Sequence, residues 1–144
     1  MARVRLGRVY HFSAAHRLHS PHLSDAENVA LYRDCNNPGG HGHNYILELL
    51  VKGEMDPALG MVMDVGELDR IVKERVLDRL DHQFIAHLAP EAPISTSESV
   101  TYVIWSWLTD TLPAGVLLHR VHLEETRSNF VDYHGEDHPG KASA

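Results

Sequence analysis

At 144 residues, with 43% hydrophobic and 23% charged side chains, the chain is long enough for a single domain whose core closes without disulfides. Its formal net charge of −7 disfavours non-specific nucleic-acid binding, and no stretch is long or apolar enough to span a bilayer. The opening MARVRLGRVYHF lacks the apolar run of a secretory signal, and the single Cys35 can form no internal disulfide, so a cytoplasmic setting is expected.

Val4, Leu6, Tyr10, Phe12, Ala14 and His16 fall on alternate positions, the period of a strand with one buried face, interrupted at Arg8. A loop follows in which Ser24 and Glu27 have capping-box spacing and predict a short helix. Pro38, Gly39 and Gly40 break the chain before a second strand, whose alternate face reads His41, His43, Tyr45, Leu47, Leu49 and Val51. A long helix is expected from Asp64, capped with Glu67, along Val65, Leu68, Ile71, Val72, Val76, Leu77 and Leu80. A second is expected from Ser95, paired with Glu98, along Val100, Val103, Ile104, Trp107 and Leu108, and ended by Pro113 and Gly115. Strands over VLLHRVHLEE and FVDY complete the pattern, and a polar tail follows. The order ββααββ, with two long helices on a four-stranded antiparallel sheet, predicts an α+β domain over 1–135 with a tail over 136–144. The edges of so small a sheet must be covered or paired between subunits.

Twelve histidines are many for this length, and such enrichment suits metal binding or proton transfer. His41 and His43, two apart on a strand, project from one face; if the first two strands pair, His16 joins them. Three imidazoles with no obvious fourth protein ligand describe a catalytic zinc site with an open position, although an isolated His-x-His pair also fits surface histidines. The remaining histidines (His11, His19, His22, His87, His119, His122, His134, His138) fit packing, surface or substrate contacts. Cys35 sits in a polar loop; a thiolate near a divalent ion suits a base or nucleophile, whereas free cysteines are more often simply buried. Asp81 and His82 form either a proton-transfer pair or an ordinary polar helix end. Ser95 and Glu98 are accounted for by capping. Glu125 continues the alternate apolar face of Leu117, Val121 and Leu123 in the third strand and needs a partner, either the edge of a guanidine-like heterocycle or an arginine.

The stretches FSAAHRLHSPHLSDAEN, CNNPGGHGHNY, GEMDPALGMVMD, LDRLDHQF, ISTSESV and EETRSNF, in this order between Val9 and Tyr133, resemble the 6-pyruvoyltetrahydropterin synthase family. The resemblance implies the tunnelling fold, with four strands and two helices per subunit. It further implies trimers that close a twelve-stranded barrel, stacked in pairs as a homohexamer with sites between subunits. By position, His16, His41 and His43 would hold Zn(2+), Cys35 would be the catalytic base, and Asp81 with His82 from a neighbouring subunit its relay. Glu125 would anchor the pterin ring, with Thr96, Ser97 and Glu98 nearby. The implied reaction turns 7,8-dihydroneopterin triphosphate into 6-pyruvoyl-5,6,7,8-tetrahydropterin with loss of triphosphate, as in tetrahydrobiopterin synthesis. Arg17 is a candidate for the triphosphate. Ser97 stands where the family often has threonine, and Arg127 and Ser128 where acidic and amide residues are expected. Two alternatives remain: the related 6-carboxytetrahydropterin synthases of the queuosine pathway, and a non-catalytic zinc- or pterin-binding protein. The carboxy branch has a Cys-x-x-x-His-Gly-His spacing, and the five residues between Cys35 and His41 favour the pyruvoyl reaction.

Overall fold

The computed structural model describes residues 2–86 and 88–139. One five-stranded sheet runs from edge to edge through Gln83–Ile85, Arg3–His16, His41–Glu54, Leu117–Thr126 and Asn129–Tyr133, with the core packed on it. β1 (Arg3–His16) and β2 (His41–Glu54) pair antiparallel along their whole length, which sets Phe12 opposite Tyr45, Ala14 opposite His43 and His16 opposite His41. Tyr45, Leu47, Leu49 and Val51 are buried, as the alternation requires, and His41 and His43 continue the same face. β4 (Leu117–Thr126) lies on the other side of β2, and β5 (Asn129–Tyr133) forms that edge.

α1 (Asp25–Tyr32) begins with the expected capping box, Ser24 and Glu27 bonding reciprocally. It runs into a 3-10 turn over Arg33–Asn36. α2 (Val65–Val72) continues through a π-helical segment (Lys73–Leu77) into α3 (Asp78–Leu80), one continuous rod that buries Leu68, Ile71, Val72, Val76 and Leu80. α4 (Ser97–Leu108) adds Val100, Val103, Ile104, Trp105 and Leu108 to the core.

Several boundaries differ from the sequence pattern. The sheet has a fifth strand, β3 (Gln83–Ile85), which runs parallel to β1 at Ala14–His16. Three residues are too few to show a period; this strand is made by the chain leaving α3. His82, at φ 61°, turns it, its N–H donates to Ser13 O (2.6 Å), and Asp81 Oδ1 accepts from Ser13 N (3.0 Å). The cap of α2 is Asp64 with Gly66 N rather than with Glu67. α4 is capped by Thr96, which accepts from Ser99 N, so Ser95 and Glu98 are not its capping pair. That helix ends at Leu108, ahead of Pro113, because the Thr111 hydroxyl donates to Leu108 O (2.7 Å) and satisfies a terminal carbonyl. A bulge in β4 opposite Leu50 and Val51 puts Leu118 in the core in place of Leu117, while Val121 and Leu123 stay inside. Trp105 takes the buried place expected of Trp107, which packs half-buried under the Arg79 guanidinium.

The end of the domain and the first residues of the expected tail, 134–139, pack on α4. His138 Nε2 lies 2.7 Å from Ser106 Oγ, and Gly135, at φ +76°, sits so close to Trp105 that an added Cβ would be 2.3 Å from its ring. Residues 140–144 lie outside the described residues.

Candidate metal centre

The β1–β2 register and the end of β4 bring His16, His41, His43 and Glu125 together, with one donor atom from each within 4.8 Å of the others. His16 is fully buried. Its Nδ1 lies 2.7 Å from Ser95 O, and a carbonyl can only accept, so Nδ1 carries the proton and Nε2 presents its lone pair to the cluster. His16 Nε2 is 3.0 Å from His41 Nε2 and 3.6 Å from Glu125 Oε1. Gly40 makes room for this arrangement. At φ +75° it passes between Phe84 and His16 O, and a Cβ there would be 2.7 Å from the Phe84 ring.

Burial lowers the pKa of all three imidazoles, which keeps them neutral and able to act as ligands. His41 Nδ1 and His43 Nε2 are buried without a hydrogen-bond partner, although His43 Nε2 is only 2.8 Å from Glu125 Oε1. Converging neutral rings with orphaned nitrogens fit a divalent ion. A tetrahedral ion with bonds of about 2.0–2.2 Å spaces its donors about 3.4 Å apart, within reach of small side-chain turns here. Glu125 is 13% exposed, and its Oε2 accepts from Ser97 Oγ and from Asn129 Nδ2 (3.1 Å).

Ser97 is thus joined to Glu125. Thr96 stands one residue away as the helix cap, and Glu98 points to solvent in the first turn of α4. Cys35 lies on the 3-10 turn, half-buried, with its carbonyl accepting from Leu18 N (2.8 Å), and is not one of the four clustered donors. Nor are Asp81 and His82. They pair with each other at 3.0 Å beside β1, where the Ser13 N–H above all holds the Asp81 carboxyl below its usual range and the His82 ring is 83% exposed. Within one chain, then, the proposed base and its relay pair are not part of the metal cluster. Of the other histidines, His122 pairs with Asp132, His138 with Ser106, and His119 packs edge-on to His134; His87 lies outside the described residues.

Three participants escaped the sequence reading. Ser95 acts through its carbonyl, for which no side-chain signal exists. Asn129 reaches Glu125 across the β4–β5 turn, a contact that four-residue spacing around a hairpin could have suggested. Tyr45 stacks on Phe12 and meets the His43 ring edge-on; burial pushes its phenol pKa up, and its hydroxyl has no partner.

A sheet that gathers three imidazoles and a braced carboxylate at one end offers a site with the donors to hold a metal ion. The chain belongs to the 6-pyruvoyl tetrahydropterin synthase family, whose pattern it matches over residues 5–136. It is 44% identical over 135 residues to the human 6-pyruvoyl tetrahydrobiopterin synthase, covering 92% of each chain. The solved structure of the Caenorhabditis elegans 6-pyruvoyl tetrahydropterin synthase superposes with a TM-score of 0.85 at 41% identity, covering 94% of this chain and 97% of that one. A 6-carboxy-5,6,7,8-tetrahydropterin synthase of Rickettsia felis matches only 47 residues, 33% of this chain and 34% of its own, at 36% identity. No helix among the described residues is long and apolar enough to cross a membrane.

Proposed function

We propose that the chain converts 7,8-dihydroneopterin triphosphate to 6-pyruvoyl-5,6,7,8-tetrahydropterin, releasing triphosphate, with Zn(2+) on His16, His41 and His43. The observation that carries this reading is the meeting of three neutral imidazoles with Glu125, a carboxylate held at Oε2 by Ser97 and Asn129. When bound, the ion supplies Lewis acidity to the two side-chain hydroxyls of the substrate and so acidifies the adjacent C–H bonds. Glu125 takes the N–H edge of the pterin ring, bordered by Thr96, Ser97 and Glu98. Cys35 moves a proton off the substrate side chain, and Asp81 with His82 of a neighbouring subunit relays it. The side chain is oxidised as the ring is reduced, so no external redox partner is consumed.

The assembly we infer is a dimer of trimers. β3 covers β1 only at Ala14–His16, so the edge of β1 from Arg3 to Ser13 has no strand partner among the described residues. Phe130 on the opposite edge strand is 60% exposed. Strand pairing between those edges would cover both and could carry His82, exposed in one chain, to a neighbour's Cys35. A cytoplasmic location fits the lone cysteine.

The deciding experiment identifies the pterin product by mass, with and without chelator. The 6-pyruvoyl product, lost on chelation and restored by zinc, is expected. A dominant 6-carboxytetrahydropterin would transfer the chain to the queuosine-type reaction. Metal binding without turnover would make it a binding protein.

A further inference from the structure

The 3-10 turn that carries Cys35 also forms one wall of a cleft of about 670 Å³, separate from the four-donor cluster. The other walls are the chain just beyond β1 and the side of α1, and Arg17, His19 and Arg33 line it. Asn36, only 4% exposed, organises these side chains. Its backbone carbonyl accepts from Arg17 Nε (2.9 Å), which fixes the guanidinium and leaves its two terminal nitrogens for a ligand. Its side-chain Nδ2 donates to Leu18 O (2.7 Å), which fixes the amide orientation. The same nitrogen therefore donates to His19 Nδ1 (3.0 Å), and the ring proton of neutral His19 sits on Nε2 as a further donor. Asp25 and Asp34 also line the cleft, yet neither arginine forms an ion pair with them among the described residues.

Arg33 is held at φ 54° and ψ −127°, a backbone conformation that favours glycine. A side chain kept where glycine would sit more easily points to a use for that side chain. Position along the sheet indicates the use. Glu125 lies level with Tyr45, since Glu124 pairs with Ile46, and the imidazoles follow at His43 and at His41 with His16. The Arg33–Asn36 turn stands beyond them, joined to β1 by the Leu18–Cys35 bond. The four residue steps along the strand from Tyr45 to His41 cover roughly 13 Å. A substrate anchored by its ring at Glu125 and stretched across the imidazoles therefore directs its far end at this turn.

We infer that the cleft between α1 and the Cys35 turn is the triphosphate subsite, with Arg17, His19 and Arg33 as the oxyanion donors and Asn36 as the residue that positions the first two. The identity of the ligand rests on the proposed function; the oxyanion chemistry rests on the cleft itself. Planar guanidinium forks suit phosphate oxygens. Asp25 and Asp34 oppose the bound anion and favour release of free triphosphate once the ester bond is broken.

The test is Arg33→Gly in the zinc-loaded full chain, read by calorimetry with inorganic tripolyphosphate and by steady-state kinetics. Glycine relieves the backbone, so the variant should melt no lower than the wild type, which excludes misfolding as the cause of lost affinity. Tripolyphosphate should bind about tenfold or more weakly, as for loss of a charge-assisted bond. KM for dihydroneopterin triphosphate should rise by a similar factor, while inhibition by unphosphorylated dihydroneopterin stays unchanged. Any contribution of zinc to tripolyphosphate binding is common to both chains and cancels. Arg17→Lys, which keeps the charge and loses the fork, should weaken binding less, and Asp34→Asn should tighten it severalfold. Tripolyphosphate affinities of Arg33→Gly and Arg17→Lys within twofold of wild type overturn the inference, as does an equal loss of dihydroneopterin affinity. Tripolyphosphate binding with this residue dependence but no pterin turnover would sink the proposed reaction and leave the oxyanion cleft standing.

Discussion

Ser97→Ala tests whether Glu125 serves the heterocycle. Ser97 is buried, and its hydroxyl donates to Glu125 Oε2, which Asn129 also holds. With the carboxylate only 13% exposed, water replaces the lost donor poorly. A hydrogen bond to a charged group contributes about 1.5–3 kcal/mol, equivalent to about 10- to 100-fold in affinity for a ligand that depends on the carboxylate's orientation. Asn129→Ala should cost less, because Asn129 is exposed and solvent can take its place. Fluorescence titration with unphosphorylated dihydroneopterin reads the loss, and competition with a chromophoric chelator reads the metal in parallel. Zinc affinity should hold, since the three imidazoles remain. Dihydroneopterin affinity within twofold of wild type, with a fall in zinc affinity, would refute the reasoning: Glu125 would then be a fourth metal ligand and the ring anchor would lie elsewhere.

His41→Ala should lose zinc and turnover together, as read by metal content and product formation; full activity in metal-free protein would defeat the scheme. Burial lowers the imidazole pKa values, so on acidification zinc affinity should begin to fall at a lower pH than it does for exposed histidines, as read by competition titration. Gly135→Ala sets a Cβ against Trp105 at positive φ and should destabilise the fold by about 2–4 kcal/mol in denaturant titration, with zinc affinity unchanged. Asp69 accepts from Arg8 and Tyr10, and its pKa is pushed down to about 2. A depressed carboxylate stabilises above its unfolded pKa of about 3.9 and loses that contribution as pH falls through about 2. Asp69→Asn should therefore flatten the stability profile between about pH 4 and pH 2, as read by acid titration of the folded signal.

Long periodic elements were legible because a single force wrote them. Burial of one face places every second residue of β2 and the 68-71-72-76-80 stripe of α2 and α3, whatever else the chain does. The clustering of His16, His41 and His43 followed from the same period once β1 and β2 were paired. Features set by other forces were not legible. β3 exists because Ser13 offers its backbone groups to Asp81 and His82, and three residues carry no pattern. The bulge in β4 shifts the core from Leu117 to Leu118 through backbone pairing alone. The cap moved from Ser95 to Thr96 because Ser, Thr and Ser stand in a row, any of which could serve by composition. Cys35 and the Asp81–His82 pair were each legible as candidates for proton transfer, but only the resemblance joins them, because local sequence carries no signal for that contact.

The bond from His16 to the Ser95 carbonyl ties a ring of the candidate metal centre to the residue just ahead of the Thr96 cap of α4. Evolution can therefore lengthen the connection from β3 only upstream of Ser95. A residue inserted between Ser95 and Thr96 would move the carbonyl off the ring, and the imidazole could present either nitrogen. The spacing of that loop from the helix cap thereby sets which nitrogen of the ring faces the cluster, although the loop acts only through one backbone carbonyl.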